Sequence, residues 1–114
     1  MDVAPPPVSL AAALALPRTP GRSAEVFVDG DLEFRFAARP TMGPQVPHPR
    51  DEIYVVARGS GEFICGDTRK KFQETDLLFV PAGISHRFED FSDDLALWVI
   101  FYGPEGGEQP TGHT

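Results

Sequence analysis

The chain has 114 residues, 41% of them hydrophobic and 24% charged, and its formal net charge is -7. The length suits one domain, and the acidity works against the phosphate backbone of nucleic acid, so no nucleic-acid partner is expected. A lone cysteine, Cys65, excludes an intrachain disulfide and agrees with a reducing compartment.

Residues 1–23 read as an N-terminal arm and short helix. Pro5-Pro6-Pro7 favours an extended arm. Ser9 is a helix N-cap, an apolar run from Leu10 to Leu16 follows, and Pro17 stops it. That run is too short to span a bilayer, and no basic region precedes it as in a secretory signal. A cytoplasmic protein with no membrane partner is expected.

Residues 24–103 read as the β domain. Glu25–Val28 and Leu32–Phe36 flank Asp29-Gly30-Asp31, a hairpin signal. Leu32, Phe34 and Phe36 alternate with Glu33 and Arg35, as in a half-buried strand. Pro40–Pro49 is a proline-rich loop or edge. Ile53–Ala57 turns back at Gly59-Ser60-Gly61 into Glu62–Cys65, and Gly66-Asp67 turns again. Arg69-Lys70-Lys71, the one basic cluster, reads as a solvated hairpin tip or edge rather than a phosphate patch. Leu77–Val80 stops at Pro81-Ala82-Gly83, and Ser85–Glu89 runs into an acidic turn at Asp90–Asp94. Leu95–Tyr102 is a long hydrophobic last strand, and residues 104–114 are a loose tail. About eight strands with regularly spaced turns make an all-β sandwich or barrel.

His48, Glu52 and His86 stand out as metal-binding chemistry. In one continuous strand His48 and Glu52 would lie roughly 13 Å apart, too far to share an ion. Pro49-Arg50-Asp51 interrupts the strand between them, so the chain can fold back and bring both side chains to one face. Pro81-Ala82-Gly83 similarly aims His86 from the start of a later strand. Two imidazoles and a carboxylate facing one interior suit a divalent metal with open coordination positions.

The spacing resembles that of the cupin family. The first family block runs His-x-His, a glutamate a few residues on, then a closing glycine. His48 falls on its second histidine, Glu52 on the glutamate and Gly59 on the glycine. The second block contains Pro-x-Gly-x-x-His, which here reads Pro81-Ala82-Gly83-Ile84-Ser85-His86, with Asp90 where the family has asparagine. Val46 stands in place of the first family histidine, and Pro40 and Thr75 stand where the blocks open on glycine. Valine cannot bind a metal. Gln45 beside it would offer its amide oxygen if the loop shifted by one residue, a weak ligand for these metals.

The resemblance implies a single-domain cupin jelly-roll β-barrel. It implies a divalent metal (zinc, iron, manganese or nickel) held by His48, Glu52 and His86, with Gln45 as a possible fourth ligand. A small-molecule ligand or substrate is implied, and a homodimer for which Leu95–Tyr102 could supply a face. Cupins include dioxygenases, decarboxylases, isomerases and plain binding proteins, so no reaction or catalytic residue follows. Three readings stand: a metal-binding cupin that binds or transforms a small molecule, a non-catalytic ligand-binding or sensor cupin, and a structural protein whose histidines are hydrogen-bonded core or rim groups. Tyr54, Phe63, Phe88, Trp98 and Tyr102 are expected to fill the barrel, line a pocket or meet a partner. Cys65 reads as a small buried hydrophobe, His113 as solvated in the tail, and Asp51 as the exposed neighbour of an inward Glu52.

Overall fold

The structure is a computed structural model that describes residues 6–19, 22–39 and 47–108. The start of the arm, the segment 40–46 with Gln45 and Val46, and the tail from 109 onward with His113 lie outside the described residues.

Ser9 caps a short helix, α1, at Leu10–Leu14, accepting a hydrogen bond from the Ala12 N–H at 3.0 Å. Eight strands follow: β1 Ala24–Asp29, β2 Leu32–Ala38, β3 Asp51–Arg58, β4 Gly61–Cys65, β5 Thr68–Phe72, β6 Leu77–Val80, β7 His86–Glu89 and β8 Ala96–Tyr102. They make a five-stranded sheet, β1-β2-β8-β3-β6, and a three-stranded sheet, β5-β4-β7. All pairings are antiparallel, as the jelly roll requires. The basic triplet Arg69-Lys70-Lys71 lies in β5, an edge strand, where charge deters pairing with another chain.

The core has two parts. Tyr54, Val56, Phe63, Phe72, Val80, Phe88, Leu97, Val99 and Phe101 meet between the sheets. Ala13 of α1 packs with Phe36 and Ala96 on the outer face of the larger sheet. The alternation of β2 therefore has an unexpected polarity. Phe36 points outward, under α1, while Glu33 and Arg35 share the inner face with their cross-strand neighbours Phe101 and Val99. A strand's period of two fixes which residues lie together, and the available cover decides which set faces in. β8 lies in the middle of this sheet, with Leu97, Val99 and Phe101 turned inward and Trp98, Ile100 and Tyr102 half-buried on the outer face.

Two turns show why the family blocks carry glycine. Gly59 has φ +94, and an added Cβ would stand 2.9 Å from the Leu95 backbone. Thr75, where the second block opens, has φ 75, a conformation strained for a β-branched residue.

The role expected for Asp51 needs correcting. It is buried rather than exposed, and its carboxylate accepts the Ala82 N–H and the Glu108 N–H, each at 3.0 Å. The Gly106 N–H also donates to the Pro49 carbonyl at 2.7 Å. Residues 104–108, expected as loose tail, are held against the start of β3 by these bonds.

Candidate functional site

Glu52, Tyr54 and Val56 alternate along β3 toward the space between the sheets, and His86 opens β7 on the opposite sheet. The sequence delivers His86 there because Pro81-Ala82-Gly83 turns the chain, with Gly83 at φ +79 and its N–H bonded to the His48 carbonyl at 2.8 Å. Glu52 is 4% exposed and His86 3%. Glu52 Oε1 and His86 Nε2 are 3.5 Å apart. Tyr54 Oη lies 2.9 Å from His86 Nε2. The surroundings are aromatic: the Tyr54 ring centroid is 5.1 Å from Phe88 and 6.0 Å from Phe63.

Burial pushes the Glu52 carboxyl up to about 7, against the opposing pull of the Tyr54 hydroxyl. Burial pulls His86 down, with the Ile84 carbonyl opposing. Burial, and then the Glu52 charge, raise Tyr54. All three directions favour neutral side chains, because a charge without a counter-ion is costly in this aromatic interior. His86 Nδ1 lies 3.2 Å from the Ile84 carbonyl. A carbonyl only accepts, so Nδ1 carries the proton and Nε2 of the neutral ring presents a lone pair. The Tyr54 O–H donates to it, and the Glu52 carboxyl stands 3.5 Å from the same nitrogen. The cluster is a buried phenol and carboxyl converging on one imidazole nitrogen.

Of the three predicted metal ligands, the structure brings Glu52 and His86 together and leaves His48 elsewhere. The His48 ring stacks on Phe101 with centroids 3.8 Å apart, and its Nδ1 accepts the Arg50 N–H at 3.1 Å. That bond places the neutral ring's proton on Nε2, which then has no lone pair for a metal. Burial lowers its pKa, and the Arg50 charge adds to this. Among the described residues no three His, Cys, Asp or Glu side chains group closely enough to hold a metal. The Glu52–His86 pair alone has suitable spacing. Two donors bound at about 2.1 Å to one tetrahedral ion sit about 3.4 Å apart, close to the 3.5 Å observed. Gln45, the further candidate, lies outside the described residues.

Tyr54 is the site residue that the sequence reading placed among the aromatic groups that fill the barrel, line a pocket or meet a partner, with no polar role. Its signal was its offset from Glu52: two residues along one strand share a face. Cys65, the cross-strand partner of His86, is half-buried, and burial followed by the Glu52 charge raises its thiol pKa.

Two facing antiparallel sheets with a buried carboxyl, phenol and imidazole between them define a jelly-roll barrel with a polar centre. The chain belongs to the cupin family, whose cupin domain model matches residues 32–102. It is 35% identical over 65 residues to an uncharacterised protein of Streptomyces coelicolor, a match spanning 57% of this chain and 62% of that one. Among solved structures it resembles protein NMB1881 of Neisseria meningitidis at a TM-score of 0.69 and 16% identity, covering 86% of this chain and 100% of that one. A cupin-2 domain protein of Shewanella frigidimarina gives a TM-score of 0.66 at 16% identity, covering 84% and 94%. At these identities the structures speak for the fold. Among the described residues no helix is long and apolar enough to cross a membrane.

Proposed function

We propose that this cupin binds a small polar organic molecule between its sheets, with Glu52, Tyr54 and His86 as the groups that meet it. One observation carries the reading: three titratable side chains converge, with His86 Nε2 2.9 Å from Tyr54 and 3.5 Å from Glu52, in an otherwise apolar interior. Small-ligand sites have this character, an apolar wall with a few convergent polar groups. A carboxyl displaced to about 7 beside a neutral imidazole suits proton transfer to or from a ligand near neutral pH. The reading covers binding alone as well as turnover.

A divalent metal is the second reading, favoured by the Glu52–His86 spacing and by the Ile84 carbonyl that orients the His86 ring. Its ligands would be Glu52, His86 and a reoriented His48, and its chemistry that of a Lewis acid or oxygen-activating centre. A homodimer through the outer face of the larger sheet belongs to the same proposal, and a monomeric mass in solution scattering would remove it.

The test is metal content by mass spectrometry of the wild type and of His86→Ala, after reconstitution with iron, manganese, nickel or zinc, alongside a ligand screen. Metal near one per chain that is lost in the variant selects the metal centre. No metal in either protein, with ligand binding weakened by Tyr54→Phe, selects the metal-free site. Ligand binding indifferent to both substitutions would sink the reading as a whole.

A further inference from the structure

β5 and β6 are each one edge of their sheet, since among the described residues β5 pairs only with β4 and β6 only with β3. A tight turn joins them, held by the Gln73 N–H on Asp76 Oδ2 at 2.9 Å. Between the two edges runs a cleft of about 730 Å³, a size that suits a small molecule. Phe63, Leu78 and Ile84 give it apolar walls, and Cys65 lies among its lining residues. Cys65 pairs across the strands with His86, and the Phe63 ring centroid is 6.1 Å from that of His86. The cleft thus adjoins the Glu52–Tyr54–His86 cluster.

Its charge is the informative feature. In β5 the register places Lys70 opposite Phe63, whose side chain is buried between the sheets. Alternation therefore sets Lys70 on the inner face, while Arg69 lies on the outer face with Glu62 and Glu89 at 2.6 and 3.0 Å. Lys70 and Lys71 both line the cleft. No carboxylate among the described residues lies within ion-pairing distance of Lys70. The cleft's one carboxylate, that of Asp76, is engaged by the turn. An apolar cleft with the Lys70 ammonium on its inner face and one committed carboxylate complements a small organic anion.

We propose that the β5–β6 cleft binds a small carboxylate with an apolar body, the carboxylate at Lys70 and the body against Phe63, Leu78 and Ile84. The inference deepens the proposed function, since it names the ligand class and the route to the same interior site.

The test uses the full chain, isotope-labelled, with amide shifts followed by NMR. The probes are benzoate, phenylacetate and hexanoate at millimolar concentrations, each beside its neutral primary amide. The expected result is carboxylate-induced shifts at Phe63, Cys65, Leu78 and Ile84, weaker binding of each amide, and affinity lowered about fivefold by Lys70→Gln. The same shifts without any response at Glu52, Tyr54 or His86 would support the cleft and overturn the interior reading. Shifts at the interior cluster with affinity unchanged in Lys70→Gln would leave that reading standing and overturn the cleft. Absence of cleft shifts with every carboxylate would also overturn it, leaving Lys70 as a guard on an open strand edge.

Discussion

Tyr54 on β3 and His86 on β7 are joined by a 2.9 Å hydrogen bond that crosses between the two sheets of the barrel. The bond fixes the imidazole from one side, while the Ile84 carbonyl holds its other nitrogen. It is a structural cross-link and a part of the candidate site at once.

Tyr54→Phe removes this bond and leaves buried His86 Nε2 with only the longer approach of the Glu52 carboxyl at 3.5 Å. A lost bond of this kind costs on the order of 1–2 kcal/mol. Urea unfolding at neutral pH should show the loss, with an unchanged slope because the fold is kept. An unchanged midpoint would mean that the hydroxyl contributes nothing to holding the sheets.

Glu52 makes stability depend on pH. Its carboxyl titrates at about 7 in the folded protein and near 4.5 when unfolded. Between these values the folded chain holds more protons, so this group's contribution is present below 4.5 and lost as pH rises through 7. His86 acts oppositely: its lowered folded pKa costs stability as pH falls below its ordinary 6.5. Glu52→Gln removes only the first effect. With chelator present, the variant should gain on the wild type as pH rises from 4.5 to 7, by on the order of 3 kcal/mol in total. A difference that stays flat across that window would mean that the carboxyl titrates normally.

Thr75 and Gly59 should respond in opposite directions. Thr75 is exposed at φ 75, so Thr75→Gly relieves strain that exceeds the entropy glycine adds to the unfolded chain, a net gain of about 0.5–1 kcal/mol. Gly59→Ala puts a Cβ against backbone at 2.9 Å and keeps φ +94, at a cost of roughly 2–3 kcal/mol. Thermal unfolding of the two variants decides both. A stabilised Gly59→Ala would refute the close approach to Leu95.

Asp51→Ala should release residues 104–108 from the barrel. Both N–H groups bonded to this carboxylate, those of Ala82 and Glu108, lose their acceptor. The expected cost is about 2 kcal/mol, with faster amide exchange at Ala82 and Glu108. Unaltered exchange at Glu108 would show that other contacts hold the segment.

Much of the barrel was legible in the sequence because its signals are local. Asp29-Gly30, Gly59-Ser60-Gly61, Gly66-Asp67 and Pro81-Ala82-Gly83 mark turns whatever the rest of the chain does. Alternation along Leu32–Phe36 marks a strand, and the offsets of Glu52 and His86 from their turns were enough to bring those two side chains together. Thr68–Phe72 was harder to read, since exposed Thr-Arg-Lys-Lys carries no apolar alternation and becomes a strand only by pairing with β4.

Tertiary structure decided what depends on distant partners. β2 turns its aromatic set outward because α1 covers Phe36 there. His48 lies flat on Phe101 with Nδ1 on the Arg50 N–H, so the spacing that paired it with Glu52 did not bring it to the Glu52–His86 pair. Asp51 is buried because Ala82 and Glu108 offer it their N–H groups. A sequence by itself determines which residues turn and which share a face, since those follow from φ and the strand period. Which face is covered, and which lone pair meets which proton, is determined by surfaces that residues far apart in the chain bring together.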